Sequence, residues 1–118
     1  DSALRCVLAH ELAHIKKKHS IVLGILVLVL IGGVVVSAMY SGNIILFLLV
    51  ILVGAAIISV LSWYDEYQAD SVAAKVVGST EMASALRQVS ALLNRGKDSF
   101  THPSFEKRIS SLTGSDKD

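Results

Sequence analysis

The strongest constraint on this chain is residues 20–64, a stretch without a single Asp, Glu, Lys or Arg in a sequence of only 118 residues. It divides into two apolar runs, 21–40 and 44–63, separated by Ser41-Gly42-Asn43. Each run is long enough, as a helix, to cross a hydrocarbon core of roughly 30 Å. Lipid offers backbone N–H and C=O groups no partner, so each run must be helical, and so short a polar turn folds the pair into a hairpin with both outer ends on one side. The rival reading, a buried helix pair in a soluble protein, leaves too little polar chain to cover two such runs. Gly33 with Ser37, and Ala55 with Ser59, place small residues four apart, a spacing that lets membrane helices approach closely. Small residues are also simply common in such helices.

The net charge of +1 carries little information, but its distribution does. Lys16-Lys17-Lys18 abuts the first run and Asp65-Glu66 follows the second, while the turn between the runs is uncharged. The excess of lysine at one end places both termini in the cytoplasm. Trp63, Tyr64 and Tyr67 at the exit of the second run read as an interfacial aromatic belt. One Cys rules out an internal disulfide framework and suits a reducing compartment. The expected partners are a lipid bilayer and polypeptides, with no nucleic acid. The chain opens with no initiator Met and no secretory signal, as a piece of a longer protein would.

The first nineteen residues carry the chemistry. Leu4, Val7, Leu8, Leu12 and Ile15 recur at three-to-four spacing, which predicts an amphipathic helix over 1–19 with Asp1 or Ser2 as its cap. Within it His10-Glu11-Leu12-Ala13-His14 is an H-E-x-x-H stretch, so the two histidines lie one turn apart on one face. Two neutral imidazoles at that spacing suit a zinc ion at roughly 2.0–2.1 Å. Glu11 then adjoins the water that completes the coordination, whose pKa zinc lowers towards about 7, and can take its proton as it attacks a peptide carbonyl. Cys6 shares the histidine face, where buried packing is its expected role rather than ligation. His19 falls off that face and reads as a solvated or headgroup-facing side chain.

Beyond the hairpin the pattern is again helical. A soluble helix is expected over 65–77, ended by Gly78, and another from a Ser79 cap to about Asn94, with Glu81 in its first turn and Gly96 just past its end. Leu86, Val89, Leu92 and Leu93 form its expected buried stripe. Residues 97–101 read as a loop, Pro103 as the first turn of a last helix reaching about Leu112, and 113–118 as a polar tail. The fold class is therefore all-α: a zincin-type motif helix (1–19), a transmembrane hairpin (20–63), then a bundle of soluble helices (64–112), read as one domain over 1–118.

A catalytic zinc needs a third protein ligand. Glu66 and Asp70 lie four apart on one helical face just beyond the second run, and a hairpin brings that point back to the motif helix. Glu66 is the candidate ligand, with Asp70 as a partner of a zinc-bound imidazole or an aid to the departing amine. Read alone, the pair is also consistent with ordinary surface acids.

Three segments together resemble a known family: Val7 through His14, Glu66-Tyr67-Gln68-Ala69-Asp70, and Thr101-His102-Pro103-Ser104-Phe105-Glu106-Lys107-Arg108-Ile109. The sequence looks like the membrane zinc metalloproteases related to the heat-shock protease HtpX and to the CAAX prenyl endopeptidases. The resemblance implies one zinc ion per chain bound by His10, His14 and Glu66, with Glu11 as general base. It implies Asp70 as proton donor or ligand orienter, and a catalytic Arg108 that orients Asp70 or stabilises the oxyanion. It further implies cleavage of misfolded or surplus membrane proteins at the cytoplasmic face of a bacterial inner membrane, an organellar membrane remaining open. Similar members carry an upstream strand whose edge pairs with substrate. No stretch here reads as that strand, which gives the alternative its motive: a catalytically incomplete, zinc-binding membrane hairpin.

Overall fold

The computed structural model describes residues 1–94 and 97–114, except the side chains at 19 and 20. Among the described residues the chain forms helices and no strand, as the all-α reading requires: α1 Ser2–Lys17, α2 His19–Ser41, α3 Ile44–Val77, α4 Ser79–Leu93 and α5 Phe105–Thr113.

The 34 residues of α3 rise about 51 Å at 1.5 Å each, close to the 55 Å long axis of the molecule. The helix starts at Asn43, whose Oδ1 accepts from the N–H groups of Ile45 and Leu46 at 3.0 and 3.2 Å. It stops at Gly78, whose N–H donates to Ala74 O at 2.8 Å. The sequence predicts a span ending at Trp63 and a separate helix from Asp65, whereas the structure has one unbroken rod. Ser62-Trp63-Tyr64-Asp65-Glu66 contains neither Gly nor Pro, so the change from apolar to charged residues does not interrupt the hydrogen-bond ladder. The rod fixes the rotation of Glu66 and Asp70 relative to the apolar half.

Segments Ile21–Ser41 and Ile44–Val77 are long and apolar enough to cross a membrane, and their most apolar windows are only 0% and 6% buried. The rest of the described chain therefore does not cover them. The helices meet where Leu30 of α2 sits on Gly54 of α3, and a Cβ at Gly54 would overlap that side chain. The expected small-residue seat at Gly33 is instead open space, and the Ser59 hydroxyl is engaged elsewhere.

Asp1 caps α1 by accepting from Ala3 N–H at 3.0 Å. The helix ends at Lys17 rather than His19, because Lys18 adopts a left-handed conformation (φ 54°) that turns the chain directly into α2. His19 begins α2, and its side-chain placement lies outside the described residues. Leu4, Leu8, Leu12 and Ile15 are exposed, while Cys6, His10 and Ala13 are buried. The predicted apolar stripe is thus not the face that packs. The core between helices is built of small side chains, Ala13, Ala69, Ala73, Ala83 and Ala85, which let the helices come close where larger residues would hold them apart. Cys6 packs against Ala73, Met82, Ala85 and Leu86.

Gly78 serves as both the end of α3 and the start of α4, at φ 103°, so Ser79 makes no capping hydrogen bond. Met82, Ala83, Ala85 and Leu86 form the buried stripe of α4, whereas Leu92 and Leu93 are exposed. Asn94, left-handed at φ 49°, ends this helix, and the expected terminator Gly96 lies outside the described residues. Ser104, not Pro103, starts α5: its Oγ accepts from Lys107 N–H at 3.3 Å, and the proline precedes the cap. The helix includes Thr113 and ends at Gly114, and residues 115–118 of the expected tail lie outside the description.

Candidate metal centre

Because α1 packs along the upper half of α3, one turn of each helix supplies the site. Histidines four apart on α1 bring Nε2 of His10 to 3.1 Å from Nε2 of His14. Glu66, on the facing turn of α3, has Oε1 at 3.2 Å from His14 Nε2 and Oε2 at 3.6 Å from His10 Nε2. An ion held tetrahedrally at 2.0–2.1 Å separates its ligand atoms by roughly 3.3 Å; the imidazole pair is close to that separation, Glu66 meets the two rings through different oxygens, and one ligand atom from each residue lies within 4.8 Å of the other two. His10, His14 and Glu66 could therefore hold a metal ion.

One turn beyond Glu66, Asp70 Oδ1 lies 2.8 Å from His10 Nδ1. A proton carried on Nδ1 and shared with that carboxylate would leave the Nε2 lone pair for the side facing His14 and Glu66. Arg108 reaches in from α5 and grips Asp70 with a fork, Nε to Oδ2 at 2.6 Å and Nη2 to Oδ1 at 2.7 Å. Its remaining nitrogen, Nη1, lies 3.0 Å from Glu66 Oε2. Asp70 is 1% exposed and Arg108 7%. Burial is the largest influence on the Asp70 carboxyl and opposes its ionisation, but the hydrogen bonds from Arg108 and His10 outweigh it and hold the carboxyl below its ordinary value. Burial likewise works against the Arg108 charge, and Asp70 overcomes it.

Residues 1–116 match the family described as Peptidase family M48. The chain belongs to that family. Comparison with curated proteins and with solved structures gives no match. The M48 family comprises metal-dependent peptidases, so a polypeptide substrate and a metal requirement come with membership.

The peptidase opens this centre onto a cavity of about 650 Å³. Its polar wall is formed by the histidines, Glu66 and Arg108, with Glu11, exposed and adjacent to His10, on the same lining. The same cavity has an apolar lining of Val7, Met82, Leu86, Val89, Leu93 and Phe105. Sequence reasoning missed this wall. Its only signal was the spacing of Leu86, Val89 and Leu93 on α4, which serves a half-buried cavity wall as well as a buried stripe. No spacing signal marks His102, whose Nδ1 stands 3.5 Å from Glu66 Oε1 on the cavity lining. The loop that carries it is braced by Asp98, which accepts from Ser104 N–H at 2.8 Å and from Lys107 Nζ at 2.5 Å. The hydrogen bond from Lys107 lowers the Asp98 pKa, and that from Asp98 raises the Lys107 pKa.

Proposed function

We propose that this M48 peptidase is a membrane-embedded zinc metalloendopeptidase of the HtpX type, with one zinc bound by His10, His14 and Glu66. The observation that carries the reading is the convergence of two imidazoles and a carboxylate whose ligand atoms lie within 4.8 Å of one another, with His10 and Glu66 each tied to a further charged partner. The hard-soft balance of two nitrogens and one carboxylate oxygen suits zinc. Bound zinc supplies Lewis-acid polarisation of the scissile carbonyl and a lowered water pKa.

The chain's own residues supply the rest. Glu11 lies on the cavity lining next to His10, where its carboxylate takes a proton from the attacking water and delivers it to the departing amine. Asp70 keeps the His10 proton on Nδ1. Both its oxygens are already engaged by His10 and Arg108, so positioning, rather than proton donation to substrate, is its role. Arg108 places Nε, Nη1 and Nη2 against the two acids and so positions them. The apolar wall receives a substrate side chain. The hairpin anchors the catalytic head, and the lysines at 16–18 place it on the cytoplasmic side, with surplus or misfolded membrane proteins of a bacterial inner membrane as substrates. The domain reading over 1–118 stands on the same footing.

The test measures zinc content of the detergent-purified protein alongside cleavage of an unfolded casein substrate, for wild type, Glu11→Gln and Glu66→Ala. Wild type is expected to carry about one zinc per chain and to cleave. Glu11→Gln keeps the metal and loses roughly 10²–10⁴-fold in rate, and Glu66→Ala loses the metal. Zinc without cleavage in wild type favours the incomplete zinc-binding hairpin, and absence of zinc overturns both readings.

A further inference from the structure

We propose that residues 97–102 form a lip that enters the bilayer interface beside α3, with the Phe100 ring among the upper acyl chains, so that the cavity opens at headgroup level. This rests on the membrane-spanning reading of α2 and α3.

The argument starts from depth along α3. Ser59 lies inside the uncharged run, four residues before Trp63, which sets it about 6 Å deeper at 1.5 Å per residue. Its hydroxyl nevertheless donates to Phe100 O at 2.6 Å. One turn higher, the Trp63 indole N–H donates to Ser99 O at 3.0 Å. The loop thus runs down the side of the helix to a level where α3 carries no charged residue. Irregular backbone at membrane depth is tolerated only when its polar groups find protein partners. Here two successive carbonyls of the loop are each taken by a side chain of α3.

The side chains follow the same gradient. Phe100, the deepest, is 56% exposed, an unfavourable placement in water and a favourable one in the interface. Trp63 stands above it at the depth where an indole belongs. Lys107 Nζ lies over the Trp63 ring at 4.8 Å from its centroid and is paired with Asp98, which exposed Lys97 precedes in the chain. Apolar tip, aromatic collar and charged rim follow the order of acyl chain, interface and headgroup.

The consequence concerns access. Glu66 is three residues past Trp63, about 4.5 Å higher along the helix, and Ser99 and His102 of the same loop line the cavity. A polypeptide reaching the centre over this lip does so at the membrane surface.

Carbene labelling tests the placement on the unaltered chain. The protein is reconstituted in bilayers containing a phospholipid with a diazirine in its upper acyl chain, irradiated, and mapped by peptide mass spectrometry. Label is expected on residues 21–63 and also on 97–102, centred on Phe100, with a severalfold drop at the lip in Phe100→Ser. Label on 21–63 with none on 97–102 overturns the lip while leaving the spanning helices standing. Label on neither segment overturns the spanning reading, and the lip with it.

Discussion

Asp70 does not line the cavity, yet its loss reaches the centre by two routes. It holds His10 by Nδ1 at 2.8 Å and neutralises Arg108 through a two-pronged contact at 2.6 and 2.7 Å. In Asp70→Asn the guanidinium keeps Glu66, at 3.0 Å, as its charged partner. Breaking a buried charge pair costs about 3–5 kcal/mol, and the surviving Glu66 contact points to the lower end. The imidazole also loses its charged anchor, which typically weakens metal binding about 10–100-fold. Thermal unfolding combined with chelator competition measures both. If Asp70→Asn binds zinc as tightly as wild type, the ring is held by something else. Arg108→Lys is a milder probe of the same network, since an ammonium cannot reproduce the planar fork.

At the scale of elements, the hairpin and the motif helix were legible because each rests on composition or spacing that one fold alone accommodates: two uncharged runs around a three-residue turn, and histidines one turn apart. The facing of helices was less legible. Leu4, Leu8, Leu12 and Ile15 of α1 have the periodicity of a buried stripe, yet the neighbours close in on Cys6, His10 and Ala13, a choice made by the small residues of α3 and α4 rather than by α1 itself. The continuity of α3 was hidden for a related reason, since a change of polarity at residue 65 looks like a boundary although the backbone meets no breaker there. Gly78 was legible as a stop, and its φ of 103° with ψ of 143° is backbone that only glycine adopts readily. Gly78→Ala is therefore expected to destabilise by about 1–3 kcal/mol, whereas Gly24→Ala, within α2 with open space around it, is expected to be neutral or to stabilise by up to about 1 kcal/mol. Equal unfolding temperatures for the two variants would refute the strain at Gly78. The loop before α5 depends on pH through Asp98. Its native pKa lies below the ordinary 3.8, so the brace with Lys107 is intact above that value and is lost as pH falls through the lowered one. Lys107 has its pKa raised above 10.5, so the same brace is complete below that value and is lost as pH rises through the raised one. Amide protection factors of 97–104, with the intrinsic pH dependence of exchange divided out, should stay flat between these limits and fall in acid, and Asp98→Asn should show the lower protection already at neutral pH.

Taken whole, the molecule is a 55 Å rod with its chemistry off centre. Everything that converges on the centre, α1, the upper half of α3, and α5 with its preceding loop, lies at one end, and the apolar half of the hairpin takes no part. A metal ion bound by both α1 and α3 therefore clamps only the head. If it binds the native state alone, it stabilises by RT ln(1 + [metal]/Kd), about 4 kcal/mol at a thousandfold excess over Kd. Chelation should accordingly act locally: exchange protection is lost along α1, residues 64–77 of α3, and α5, while the backbone of 21–41 and 44–60 keeps its protection. Hydrogen exchange with and without chelator resolves that pattern, and Glu66→Ala should show the chelated pattern at the outset. Uniform loss of protection along α3 would mean that head and hairpin unfold as one unit despite the offset site. No loss anywhere would mean that the helices hold the ligands in place without the ion, so that the site is preorganised by the Arg108, Asp70 and Glu66 contacts alone.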